Sequence, residues 1–152
     1  MAVKPIPDGY HTVTPYLMVD DAARLLAFVK EAFGAEETVM MPSPDGTIGH
    51  AEVTIGDSIV MLADAAGSDQ GVTMPATIFL YLPDADATYR AAIEAGATSL
   101  REPRDEFYGD RMGGVKDPAG NHWWIATHVE DVPLDEVARR AEELAQGAEG
   151  SG

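Results

Sequence analysis

The sequence predicts an α+β fold of two tandem βαβββ modules, whose curved mixed sheets form a cleft, followed by a C-terminal helix. Three observations predict it. A slide of 63 positions lays "TPYLMVDDAARLLAFVKEAFGAE", from Thr14, over "TIFLYLPDADATYRAAIEAGATS", from Thr77. Three short runs of strand character, divided by turn signals, follow each copy. Behind the second set comes an amphipathic segment, "VPLDEVARRAEELAQG".

Each copy of the repeat opens on a short apolar run and turns at an aspartate, Asp21 or Asp84. Each then runs through helix-favouring residues to a glycine, Gly34 or Gly96. The aspartate can accept the free N–H groups of a helix N-terminus, and the glycine can take the left-handed conformation at its end. Leu25, Leu26, Val29, Ala32 and Phe33 form one apolar stripe, and Tyr89, Ala92 and Ile93 the other, so both helices cover a sheet.

The strand runs of the first module are "ETVMM", "IGHAEVTI" and "SIVMLA", separated by "PSPDGT" and "GD". Those of the second are "TSLRE", "RMGGVK" and "HWWIAT", separated by "PRDEFYGD" and "DPAGN". Asp-Gly and Pro-Gly-type punctuation of this kind marks turns. The modules therefore span about residues 11–65 and 77–129 of a single domain, joined by "DAAGSDQGVTMPA", residues 64–76. The last helix spans about 133–146, with Pro133 near its start, Leu134, Val137, Ala138, Ala141 and Leu144 on one face, and a Glu136–Arg140 ion pair. The closing "AEGSG" has the composition of a disordered tail.

Composition removes several function classes. A chain of 152 residues buries roughly 70% of its unfolded surface, so it folds without metal or disulfide. No cysteine is present, which excludes disulfides, thiolate metal sites and a cysteine nucleophile. A net charge of −16 against ten Lys plus Arg repels phosphate backbones and anionic lipid, so neither nucleic acid nor a membrane surface is an expected partner. The N-terminal "MAVKPIPDGYHTVTPYL" lacks the apolar block of a signal peptide, and no apolar run has the length of a membrane span. A cytoplasmic location is the expectation. No Gly-x-Ser-x-Gly, Gly-x-Gly-x-x-Gly or P-loop pattern occurs.

The segments "TPYLMVDDAARLLAFVKEAFGAE", "GHAEVTIGDSIVMLAD" and "GDRMGGVKDPAGNHWWIATHVEDV" together resemble the vicinal oxygen chelate superfamily, the glyoxalase/bleomycin-resistance/extradiol-dioxygenase group. They most resemble its PhnB-like branch, over roughly residues 11–132. The resemblance implies a homodimer, often with clefts shared between modules of two chains. It also implies four metal-ligand positions, one on the first and one on the last strand of each module, usually filled by His and Glu. Carried over by position, these fall on Thr14, Met61 (Val60 if the hairpin slips by one), Thr77 and Trp124. Thr, Met and Trp do not anchor a catalytic divalent metal. No metal and no cofactor is therefore expected, as in the bleomycin-binding members.

Strand alternation proposes which side chains enter the cleft. Val13, Leu17 and Val19, then Ala51, Val53 and Ile55, suit the helix-covered faces. This leaves Thr12, Thr14, Tyr16, Met18, His50, Glu52, Thr54, Thr77, Phe79, Tyr81, His122 and Trp124 in the cleft, with Trp123 and Ile125 in the core. Such a lining, with Met61, suits a hydrophobic or planar small molecule. His50 and Glu52 share a strand face and can act as a general acid/base couple, or as ligands of a relocated metal with His122 as a third. Arg111, following Asp110 in "YGDRMGG", can pair with an acidic ligand, or the Asp-Arg pair can form a structural salt bridge. His11 and His128 sit at strand ends with a surface or interface role. Three readings follow: a metal-free binding protein, an enzyme of lyase, isomerase or oxygenase type using His50 and Glu52 as acid/base or as a relocated metal site, and a dimeric scaffold with a packed cleft.

Overall fold

The computed structural model describes residues 2–66 and 72–150, with side chains through Ala148. The first module is β1 (Tyr16–Val19), α1 (Ala22–Phe33), β2 (Glu36–Pro42), β3 (Ile48–Ile55) and β4 (Ser58–Asp64). The second is β5 (Thr77–Tyr81), α2 (Ala85–Glu94), β6 (Thr98–Asp105), β7 (Asp110–Lys116) and β8 (His122–His128), followed by α3 (Leu134–Gly150). Each module is a four-stranded mixed sheet, in the orders β1-β4-β3-β2 and β5-β8-β7-β6, with its first and last strands parallel. The α+β fold of two βαβββ modules and a C-terminal helix is thus the observed one.

Local chemistry sets the boundaries. The Asp21 carboxylate accepts from Arg24 N, and the Asp84 carboxylate from Ala87 N, capping the two helices. Gly34, at φ 66°, closes α1 in the left-handed conformation, which a side chain would strain. α2 ends at Glu94 with Ala95 as its cap, and Gly96 follows at φ 109°. Both strand-to-helix turns are also tied to the last strand of their module. Asp64, buried at the end of β4, accepts from Ala22 N at 2.9 Å and Ile48 N at 2.7 Å. At the repeat-equivalent position, Thr127 accepts from Ala85 N at 2.8 Å and donates to Leu82 O at 2.7 Å.

The modules join through their helix sides. Leu25, Leu26, Phe28, Val29 and Ala32 of α1 share one core cluster with Leu17, Ala51, Val53 and Leu62 of the first sheet and Val115, Trp123 and Ile125 of the second. α1 packs on α2, and the Phe33 ring lies 4.8 Å from Trp123. The expected enclosure of the opposite sheet faces against each other is not what this chain does. With the helices central, those faces keep Tyr16, Met41, Phe79 and Tyr81 exposed.

Three further expectations change. Val13 is 81% exposed: β1 starts only at Tyr16, after Pro15, whose nitrogen has no proton for a ladder. The tail expected to be disordered is helical through Gly150, because Ala and Glu in "AEG" continue the helix begun at Leu134; the final Ser and Gly lie outside the described residues. Of the linker 64–76, Asp64 belongs to β4 and residues 67–71 lie outside the described residues. Among the described residues, no helix is long and apolar enough to cross a membrane.

Candidate functional site

Register turns the repeat into two equivalent rows of side chains. In the first sheet Tyr16 lies opposite Met61, Met61 opposite Glu52, and Glu52 opposite Val39. In the second, Phe79 lies opposite Trp124, Trp124 opposite Gly114, and Gly114 opposite Arg101. Directly opposed residues point to the same face of a sheet. The faces thus present a polar row in module one and an aromatic row in module two.

In the polar row, His50 and Glu52 are in contact, with Nε2 at 2.7 Å from the Glu52 carboxylate. The Tyr16 hydroxyl lies 2.9 Å from His50 Nδ1, its ring tilted against the imidazole. On the other side Tyr10, from the segment before β1, donates its hydroxyl to Glu52 Oε1. Glu52 is only 6% exposed. Burial pushes its carboxyl up, but the hydrogen bonds from Tyr10 and His50 more than reverse this and hold it below the usual carboxylate range. The bond to Glu52 in turn raises Tyr10 above the ordinary phenol value. Burial, then the Glu52 charge, raises Tyr16. The result is a chain Tyr10–Glu52–His50–Tyr16 anchored on one ionised carboxylate.

In the aromatic row, Trp124 lies across Gly114, where an added Cβ would stand 2.4 Å from the indole. The Arg101 guanidinium sits 5.6 Å from the indole centroid, held by Glu106 at 2.6 Å and by Met112 O. Phe79 and Tyr81, two residues apart on β5, pack with ring centroids 5.0 Å apart. Tyr81 donates to Asp110, a buried carboxylate that also binds His128 Nδ1, while His128 Nε2 meets Asp131.

The opening of the "DPAGNHWW" stretch is structural. The buried Asp117 accepts from Ala119 N, Asn121 N, Asn121 Nδ2 and, at 2.7 Å, Trp123 Nε1. Asn121 then accepts from Ala76 N and fixes the start of β5. Gly120 completes this turn at φ 94°.

Two adjoining cavities mark where a ligand fits. One, of ≈ 630 Å³, lies at the seam between modules. Its lining includes Val13, Thr14 and Pro15, Ile59 from the β3–β4 hairpin, and Phe79 and Tyr81 from β5. The other, of ≈ 520 Å³, lies under the N-terminal segment and is lined by Pro5, Ile6, Tyr10, Thr12 and Met61 among others. Thr14 and His11 line both. Of the expected site residues, Thr14, Met61 and Phe79 line these cavities, and Tyr16, His50 and Glu52 form the adjacent chain. Thr77, exposed, and His122 face each other at the start of β5 and β8.

Arg111 leaves the expected ligand set. It alternates with Met112 and Gly114 and so points to the helix side, where its guanidinium binds both oxygens of Asp86, at 2.6 and 3.0 Å, and Asp105 at 3.2 Å. Hydrogen bonds to these two carboxylates raise its pKa and lower that of Asp86. His122 is on the other sheet from His50 and Glu52. Among the described residues, no group of three His, Cys, Asp or Glu is arranged to hold a metal ion, and His122 does not join His50 and Glu52 in one cluster. The four positions that resemblance assigns to metal ligands, Thr14, Met61, Thr77 and Trp124, offer hydroxyls, a thioether and an indole, a donor set that does not fit a divalent cation.

Residues the sequence reading passed over include Tyr10 and Arg101, and His11, expected only at the surface or an interface, lines both cavities. Tyr10 and His11 precede the first strand, where alternation carries no information. Arg101 belongs to a bulged strand whose register shifts on both sides of it.

The chain is 37% identical over 149 residues to uncharacterised protein Rv0887c of Mycobacterium tuberculosis (strain H37Rv), covering 92% of this chain and 85% of that protein. It is likewise 37% identical to Mb0911c of Mycobacterium bovis, covering 95% of that protein. Its fold is similar to that of TioX from Micromonospora sp. ML1, with a TM-score of 0.68 at 24% identity over 78% of this chain and 99% of that one. It is also similar to a superfamily member from Sphaerobacter thermophilus, with a TM-score of 0.62 at 22% identity over 77% of this chain and 96% of that one. The family model for the Glyoxalase/Bleomycin resistance protein/Dioxygenase superfamily matches residues 10–125. With the paired βαβββ sheets and the cavities at their seam, this match establishes that the chain belongs to the glyoxalase/bleomycin resistance protein/dioxygenase superfamily.

Proposed function

We propose that this protein binds a hydrophobic or planar small molecule without a metal ion, sequestering it at the seam between its two modules. The observation that carries the reading is the ≈ 630 Å³ crevice lined by Phe79, Tyr81, Thr14, Val13, Pro15 and Ile59. Ligand sites are mostly apolar clefts of about 300–1,000 Å³ with a few polar groups. The unsuitable donors at the four family positions support the metal-free part. Phe79 and Tyr81 supply ring faces, each contact worth about 0.5–1.5 kcal/mol beyond area burial. The exposed Phe79, Tyr81, Tyr16 and Met41, with Leu134 and Leu144 of α3, favour a homodimer in which a second copy covers these faces.

The test is equilibrium dialysis of a neutral planar probe, the methyl ether of β-naphthol, against the wild-type protein and Phe79→Ala. Saturable binding weakened roughly ten-fold by Phe79→Ala is expected. Absence of saturable binding, or equal binding by both proteins, rejects the reading. The His50–Glu52 contact at 2.7 Å, with Tyr16 on the free imidazole nitrogen, favours a second reading as an acid/base couple of an enzyme. Turnover of an acidic substrate lost in both His50→Ala and Glu52→Gln would establish it.

A further inference from the structure

The Glu52 carboxylate is an ionised group in a nearly closed position, and its neighbours use it unequally. His50 is fixed to it by the strand itself, two residues away on the same face of β3. Tyr10 comes from 42 residues earlier in the chain, from a segment with no helix or strand, and reaches the carboxylate by its hydroxyl alone. The segment does not pack tightly there. Between it and the sheet remains the ≈ 520 Å³ cavity lined by Pro5, Ile6, Pro7, Tyr10 and Met61. Most of its residues are exposed, Val3 at 92% and Ile6 at 43%. Beyond Tyr10, Thr14 and His11 connect this cavity to the seam crevice.

From this geometry we infer that the Glu52–His50 pair is a subsite for a phenolic hydroxyl of the bound molecule, and that Tyr10 is its built-in occupant, displaced when ligand enters. The inference rests on the seam-binding reading above and adds to it the chemical class of the ligand. A buried carboxylate is costly with an acceptor position unfilled, so the subsite needs a donor at all times. A planar ring bearing a hydroxyl matches the Tyr10 side chain in shape and donor geometry. It can also extend from Met61 toward Thr14, which Tyr10, tethered to its backbone, does not do. The N-terminal segment is then a strap that keeps Glu52 satisfied in the empty protein and is released only by a ligand whose hydroxyl replaces that of Tyr10, whereas a non-hydroxylated ligand occupies the seam with the strap in place.

The experiment compares β-naphthol with its methyl ether, which keeps the rings and removes the donor, by equilibrium dialysis against wild type, Tyr10→Phe and Glu52→Gln. Tyr10→Phe deletes one oxygen, and its circular dichroism spectrum is expected to match that of wild type. β-Naphthol is expected to bind Tyr10→Phe roughly ten-fold or more tightly than wild type, the ratio a hydrogen bond to an ionised carboxylate supports. The methyl ether is expected to be little changed. Glu52→Gln is expected to erase the preference for the hydroxyl. In wild type, β-naphthol and not its ether is expected to speed chymotrypsin cleavage after Tyr10. Equal binding of the two probes by Tyr10→Phe, or cleavage indifferent to β-naphthol, overturns the subsite while leaving the seam reading standing. Failure of both probes to bind any of the proteins removes both.

Discussion

Gly114→Ala tests whether the aromatic row is built as described. A Cβ on Gly114 would stand 2.4 Å from Trp124 Cζ3 and 2.5 Å from Cε3. Carbon atoms are at ease at about 3.5–4.0 Å, so the indole has to retreat by about 1 Å or more. Overpacking of this kind costs about 1–3 kcal/mol. The Arg101 guanidinium, 5.6 Å from the ring centroid, then loses a cation–π contact worth about 0.5–1 kcal/mol. A total near 2 kcal/mol is a sizeable part of the roughly 5–15 kcal/mol by which such domains are stable. For a chain of this size it lowers Tm by about 4–8 °C. The assay is urea denaturation followed by tryptophan emission, in Gly114→Ala, Trp124→Ala and the double variant. Because the methyl and the indole compete for one volume, the double variant is expected to recover most of the cost of Gly114→Ala. If Gly114→Ala alone leaves stability and emission unchanged, or its cost simply adds to that of Trp124→Ala, the indole does not rest on Gly114 and the platform is misassigned.

Two further outcomes follow from the buried polar groups. Asp117→Ala strands the Trp123 Nε1 and Asn121 Nδ2 donors, both on fully buried residues, and is expected to cost roughly 3 kcal/mol or more at about 1–3 kcal/mol per orphaned donor; a chemical-denaturation difference below about 1 kcal/mol contradicts this. His128 is held above the ordinary imidazole value, first by its hydrogen bond to Asp110 and then by that to Asp131. A group raised by folding contributes stability fully below its unfolded value and loses it as pH rises through the folded one. Unfolding free energy is therefore expected to fall from about pH 6.5 upward, and His128→Gln is expected to flatten that slope; an unchanged slope means the imidazole does not carry it.

How much of this was legible in the sequence depends on the range of the interaction. The 63-position offset carries even to side-chain duties: Asp64 and Thr127, related by it, both tie a helix start to the last strand. Strand alternation placed Ala51, Val53, Ile55, Trp123 and Ile125 in the core, where they are buried. It also put His50 and Glu52 on one face, and they touch. It failed at Val13, where a proline delays the strand. Residue chemistry left Arg111 open between an acidic ligand and a salt bridge, and the carboxylate that captures it, Asp86, lies 25 residues away.

Sequence by itself determined the two modules, their turns and caps, and the absence of a cysteine. These depend on periodicity and residue type within one element, which short-range sterics and hydrogen bonding fix. Only the tertiary structure decided that the helix sides, rather than the free sheet faces, are joined. It also decided that the cavities meet at Thr14, and that Tyr10 reaches Glu52. Those outcomes turn on how buried area and paired charge are shared between segments distant in the chain. No local pattern encodes that competition, because its energies belong to contacts that exist only once the modules have packed.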